Sequence, residues 1–300
     1  MRLGVTPIGG VGWTGGAQYL ANLLAVLIRH PEYGIYPVLM AGDDAPFEDI
    51  RRLEKAANCQ AVRHSAFSSS RRFIGPLTAL ACGRDMKVEA ALKSAKIDVY
   101  LEWARFHGRD LRMPVLAWMP DFQHRRLRSQ FTHLQFLRRE IGFRFQIACG
   151  RTILLSSEAA RKDLLALYPL SNRTRIAIAR FSSLADRAVS PTPKVELQER
   201  YSLPNHFFHL PNQFWGHKNH LVVIEALRQM RGNFENATVI ATGATTDPHH
   251  PGRFEKFMSR VKEYSLNDRF RHLGLIPYAD LLGLMKSATA VINPSLEGNQ

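Results

Sequence analysis

The sequence predicts an α/β protein made of two Rossmann-like parallel-sheet domains in succession. Three observations carry that reading. Short apolar runs alternate with segments of helical periodicity from residue 3 to residue 179. The alternation stops over residues 182–196, where Ser190-Pro191-Thr192-Pro193 has the chemistry of a linker. It resumes from 206 to 293, and strands separated in this way by helices pair in parallel. The expected domains are 1–185 and 205–300, joined by a linker over 186–204, which suits a chain of 300 residues.

The elements follow in order. Residues 3–6 form a strand that enters a glycine-rich loop, and 17–29 form the first helix. Strands are expected at 36–40, 97–101 and 115–119, then an arginine-rich helix within 125–144. A strand at 152–155 precedes a helix at 157–167, for which Ser156 or Ser157 is the natural N-cap, and 175–179 is the last strand of this half. The second half reads as strand 206–210, helix 218–230, strand 238–242, helix 253–264, strand 270–273, helix 278–286 and strand 290–293. In both halves ligands are expected at the carboxyl ends of the strands, and with two domains the natural site is a cleft between them.

Composition narrows the function. The net charge of +14 is uneven: residues 1–200 hold 30 Lys and Arg against 18 Asp and Glu, and residues 201–300 hold 10 against 8. No nucleic-acid-binding motif accompanies the charge, so nucleic acid is not an expected partner. The densest stretch holds Arg125, Arg126, Arg128, Arg138, Arg139 and Arg144 against Glu140 alone. Phe131, Leu134, Leu137 or Arg138, Ile141 and Phe145 approximate a helical apolar stripe among them. Such a helix either packs its stripe into the core with the arginines in water, or lies on an anionic membrane. Cys59, Cys82 and Cys149 form no metal or disulfide pattern, which points to a reducing compartment. No apolar run reaches the 18 residues or so of a spanning helix. A cytoplasmic protein is expected, with peripheral contact at the inner face of the membrane as an option.

Three loops carry candidate chemistry. Gly10, Gly12 and Gly15 make a formal G-x-G-x-x-G, with Gly16 following and Asp43 after the second strand as a candidate ribose acid. The loop can serve a dinucleotide, or more generally let a ligand approach backbone N–H groups at Gly15 and Gly16. Asp121 and His124 leave the strand at 115–119. They either cap a turn and sit at the surface, or face a ligand, where His124 meets a reacting sugar. Finally Pro211-Asn212-Gln213-Phe214-Trp215-Gly216-His217-Lys218-Asn219-His220 joins a strand to a helix. An ammonium beside the free N–H groups of a helix start makes a place for phosphate, although a lysine there is more often a solvated surface residue. His249-His250 reads as surface loop, and no cluster has metal-ligand spacing.

Taken in order, these pieces resemble the retaining glycosyltransferases of family 4, which have the GT-B fold. The matching residues are Gly15-Gly16, the block 120–124, Leu155-Ser156-Ser157, the block 211–220, Gly274-Leu275-Ile276-Pro277 before Leu281-Leu282, and Asn293-Pro294-Ser295-Leu296-Glu297-Gly298. The resemblance implies a nucleotide-diphosphate sugar, UDP- or GDP-linked, held mainly by the second domain, and no required cofactor or metal. Lys218 would neutralise the diphosphate leaving group, with Asn212, Gln213 and Asn219 beside it. His124, with Asp121, would contact the donor sugar, and Glu297 and Gly298 would bind its hydroxyls. The acceptor would be a saccharide or lipid-linked molecule in polysaccharide or glycoconjugate synthesis.

Two departures from the family pattern matter. Asn212 and Gln213 stand where many members carry arginine before the lysine, so donation is by neutral groups. The family also places a second Glu eight residues after the first, and this sequence reaches only Gln300. The expectation is a truncated second domain, with little transferase activity and a tendency to aggregate. The competing expectation is a GT-B-fold epimerase or an NAD(P)-dependent oxidoreductase using the Gly10–Gly15 loop.

Overall fold

A computed structural model describes residues 1–8, 14–103, 106–180, 189–230, 236–247 and 250–296. They belong to two compact units, Met1–Leu184 and Ala185–Gly298.

The first unit runs β1 (Arg2–Val5), α1 (Thr14–Arg29), β2 (Tyr36–Ala41), α2 (Phe47–Ala57), β3 (Val62–Arg63), α3 (Arg71–Ala81), α4 (Met86–Ser94), β4 (Val99–Trp103), β5 (Val115–Met119), α5 (Gln123–Arg126), α6 (His133–Ala148), β6 (Thr152–Leu155), α7 (Glu158–Leu167) and β7 (Ile176–Ile178). Its seven strands lie in the order β3-β2-β1-β4-β5-β6-β7, and every pair is parallel. Gly4 pairs with Val38 on one side and Tyr100 on the other, so the strand order reverses at β1/β4. Alternation along the strands divides the core. Leu39 and Ala41 face a cluster with Leu20, Leu24, Ile50 and Leu53. Val38 and Met40 face the opposite cluster with Val88, Leu92 and Tyr100.

Local chemistry sets the helix starts. Asp85 accepts the N–H groups of Lys87 and Val88 and pairs with Arg71 at 2.9 Å, which joins α3 to the start of α4. Ser157 caps α7 by accepting the Ala160 N–H. Thr132 and Gln135 exchange hydrogen bonds as a capping box at α6. That cap is why the arginine-rich segment is not one helix. The short α5 and a 3₁₀ turn at Arg128–Gln130 precede it.

The second unit contains α8 (Lys194–Tyr201), β8 (Phe208–Pro211), α9 (His220–Gln229), β9 (Val239–Thr242), α10 (Arg253–Glu263), β10 (Phe270–His272), α11 (Tyr278–Ser287) and β11 (Ala290–Val291). The sheet order is β10-β9-β8-β11, again parallel throughout, and it reverses at β8/β11. Residues 194–201, within the segment whose sequence suggests a linker, are helical and pack on α11. Asp280 at the start of α11 accepts from Thr192 (2.6 Å), Arg200 (2.7 Å) and Tyr201 (2.6 Å). Leu197, Leu203, Phe207, Ile240 and Leu284 fill one face of the sheet. Phe214, Ile224, Leu227, Phe257, Val261 and Phe270 fill the other.

Candidate functional site

In the second unit the loops leaving β8 and β11 meet where the strand order reverses, the place at which open α/β sheets receive ligands. The Ile292 N–H donates to His209 O (2.7 Å) and the Leu296 N–H to His217 O (2.8 Å). The segment 211–220 and the segment 293–296, far apart in sequence, thus form one rim. Glu297 and Gly298 lie outside the described residues.

The 211–220 loop is held from beneath. Phe214 is buried, stacks on His220 at 4.0 Å between ring centres, and donates its N–H to Ala244 O. Gly243 adopts φ +133°, and a Cβ there would stand 2.5 Å from Asn212 O, so only glycine lets the β8 and β9 ends come this close. A 3₁₀ turn at Gly216–Lys218 follows, and Asn219, in the left-handed conformation, begins α9 without a side-chain cap.

Lys218 is half-buried on this turn, and burial lowers its pKa below the usual lysine value. Among the described residues it has no ion-pair partner, whereas Arg71, Arg139, Arg151, Arg200 and Arg253 each face a carboxylate. Asn212 Nδ2, two residues after Leu210, is buried with no acceptor among the described residues. A cation and an amide donor thus stand on one loop, and both are groups that can bind anionic oxygen. Gln213 shares the loop and accepts the Trp215 N–H through its carbonyl. Beside the loop, Trp215, Gly216, Asn219, Arg253, Lys256 and Arg260 help to line a cavity of about 730 Å³. Of these three cations on α10, Lys256 and Arg260 add positive potential there, while Arg253 is paired with Asp247. Their spacing of three and four residues on one helix face is legible in sequence, but it carries no motif.

In the first unit the reversal point is flanked by the loop after β1 and the loop after β4. Gly10 and Gly12 lie outside the described residues; Gly15 is exposed and Gly16 buried in the first turn of α1. Asp43 is exposed at the carboxyl end of β2. Behind the β4 loop, Glu102 accepts the His107 N–H (2.7 Å) and pairs with buried Arg151, which donates to Gly108 O.

Asp121 and His124 follow β5 but differ in setting. Asp121 accepts the Gln123 N–H (3.0 Å) and pairs with Arg139 of α6 (2.5 Å). The His124 ring is wholly enclosed by Phe122, Phe131, Phe136 and Phe143. Its Nε2 lies 3.3 Å from Glu140 and 3.2 Å from the Tyr168 hydroxyl. Tyr168 donates to Glu140 at 2.7 Å and Arg144 donates at 2.6 Å. A carboxylate that accepts every bond assigns the proton to His124 Nε2, leaving buried Nδ1 with no partner among the described residues. Burial, reinforced by the charge of Arg139, pushes the His124 pKa down to about 4, so the ring is neutral near pH 7. Burial opposes ionisation of Glu140, but hydrogen bonds from Tyr168 and Arg144 outweigh it and hold the carboxyl below its usual range. As folded, the His124 ring opens onto no surface. A ligand would meet it only after the Phe131 and Phe136 cover moves.

Sequence reasoning missed Glu140, which organises this cluster. The available signal was Phe136, Glu140, Phe143 and Ile147 at core spacing, with one acid among apolar residues.

No family model and no curated protein matches the sequence. Solved structures do match. A glycosyltransferase from Rickettsia africae ESF-5 superposes with a TM-score of 0.66 at 16% identity, over 99% of this chain and 73% of that one. Sucrose-phosphate synthase from Thermosynechococcus elongatus gives 0.66 at 14%, over 100% and 77%. Anabaena Alr3699/HepE, solved with UDP and glucose, gives 0.65 at 16%, over 98% and 74%. The chain therefore has the GT-B fold, with two Rossmann-like units bearing parallel sheets of seven and four strands.

Proposed function

We propose that this protein is a GT-B glycosyltransferase that moves a sugar, with retention, from a nucleotide-diphosphate sugar to a saccharide or lipid-linked acceptor. The single observation that carries the reading is Lys218. It is a half-buried ammonium with no counter-ion among the described residues, at the strand-order reversal of the second unit. The GT-B fold and the UDP-bound neighbour support it.

In this reading the donor diphosphate sits at Lys218, with Asn212, Gln213 and Asn219 as neutral donors and Glu297 and Gly298 on the sugar. As the glycosidic bond breaks, negative charge grows on the diphosphate, and a fixed cation stabilises that change more than it stabilises the ground state. The acceptor attacks on the face the diphosphate leaves, which preserves configuration. The first unit supplies the acceptor side. Gly15 and Gly16 offer backbone N–H groups, Asp121 stands at the β5 end, and neutral His124 meets the sugar once its cover moves. No resident cofactor is assigned. The protein works in the cytoplasm, in polysaccharide or glycoconjugate synthesis, in peripheral contact with the membrane when the acceptor is lipid-linked.

A thermal-shift and calorimetry panel of UDP, GDP, ADP and NAD tests the reading. Binding of a nucleoside diphosphate that is lost in Lys218→Ala supports it. A chain that binds none of the three diphosphates refutes it. Asp43, exposed at the end of β2, favours a second reading as an NAD(P)-dependent oxidoreductase in which it would bind ribose, and stabilisation by NAD alone would support that reading.

A further inference from the structure

We propose that the outward face of α6 is a docking surface for an anionic lipid bilayer. The stripe expected from sequence is real, but it points away from the core. On α6, Phe143 and Ile147 are buried with Glu140. Leu134, Leu137, Ile141 and Phe145 are 73%, 50%, 47% and 36% exposed. At helical spacing these four fall within about 80° of one another, opposite the buried set. A helix with one apolar face in the core ordinarily presents polar residues outward. This one presents a second apolar face.

The charge beside the stripe selects the occupant. Arg138 and Arg144 flank it on either side and are exposed, Arg144 in an ion pair with Glu140, and the six arginines of segment 123–148 outnumber the carboxylates of Asp121, Glu140 and Asp163 that pair with four of them. Arg128, just before the helix, lies over the Phe136 ring at 4.5 Å. Apolar side chains bordered by arginines match the acyl boundary and anionic headgroups of a lipid surface, with the helix axis in the membrane plane. A second copy of the chain fits less well. The face is roughly 24 Å long and about 10 Å wide, far below the area of about 800 Å² per partner in a stable interface. Pairing would also set arginine against arginine. Among the described residues no helix is long and apolar enough to cross a membrane.

This inference rests on the first unit and requires neither a donor nor a functioning transferase. Its test is co-sedimentation of the 300-residue chain with phosphatidylcholine vesicles, with or without about one third phosphatidylglycerol. The expected result is binding to the anionic vesicles and release in about 0.5 M salt. Leu137→Gln/Ile141→Gln, at exposed positions, should weaken binding about tenfold or more with unchanged thermal stability. Arg138→Gln should weaken it roughly fivefold at low salt. An environment-sensitive dye on Ala148→Cys, beside the stripe, in a chain whose Cys59, Cys82 and Cys149 are replaced by serine, should shift to the blue on adding anionic vesicles, which gives a readout independent of the double variant. Wild-type protein that stays in the supernatant overturns the proposal, as does a double variant that binds equally well. Sedimentation velocity showing a dimer that the double variant abolishes assigns the face to a second copy instead.

Discussion

Replacing Lys218 with methionine should separate the two properties that a side chain usually links. The substitution keeps an apolar stem of similar reach and removes the ammonium. In the folded protein that ammonium has no ion-pair partner among the described residues, and burial lowers its pKa. Its removal should leave stability unchanged or raise it by on the order of 1 kcal/mol. A charge-assisted hydrogen bond to a diphosphate contributes about 1.5–3 kcal/mol, so UDP or GDP affinity should fall roughly 10- to 150-fold. Urea unfolding gives the first quantity and isothermal titration calorimetry the second, both near neutral pH. The salt dependence of nucleotide binding should weaken in the variant as well, because one fewer cation is involved. Affinity unchanged together with a stability loss above about 1 kcal/mol would make Lys218 a structural residue and refute the reasoning.

Three further outcomes are expected. Gly243→Ala puts a Cβ 2.5 Å from Asn212 O at φ +133°, so it should cost about 2 kcal/mol or more and weaken nucleotide binding by displacing the Asn212 loop, both checked by the same pair of measurements. Glu140→Leu leaves the Tyr168 hydroxyl and His124 Nε2 without their acceptor and should destabilise the first unit by about 3–5 kcal/mol in urea, whereas Glu140→Gln, which keeps an acceptor oxygen, should cost less. His124, His209 and His220 are each pushed down to about 4 by burial; since the unfolded chain binds these protons first, their contribution is complete above about pH 6.5 and declines as pH falls from there toward 4, so urea midpoints that do not move between neutral pH and pH 5 would contradict the burial of these rings.

Much of this architecture is written in local patterns. Most β-strands carry apolar runs that nothing else competes for, β3 (Val62–Arg63) excepted, and the break near residues 190–193 is marked by proline. The 211–220 loop is legible because a strand, an aromatic-rich turn and a lysine occur together. Other parts depend on tertiary partners. Helix α3 contains Gly75 and Pro76 and gains support from the Arg71–Asp85 pair, so its sequence resembles loop. Helix α8 lies in a polar stretch and is secured by Asp280, some eighty residues later. The orientation of α6 is the most instructive case. Both of its faces carry apolar residues at the same period, so periodicity identifies the helix but cannot choose which side is covered. The rim of the second unit depends on the pairing of β8 with β11, a long-range contact that no local pattern reports.

Helix α6 touches the 121–124 turn twice from within, through Arg139 to Asp121 and through Glu140 to His124. Those same turns of helix carry the outward stripe. A chain resting by that stripe on lipid would hold Asp121 at a set height of roughly one helix diameter, about 10 Å, above the headgroups. Any contact made by that stripe is thus one helix thickness and one ion pair away from the Asp121 carboxylate.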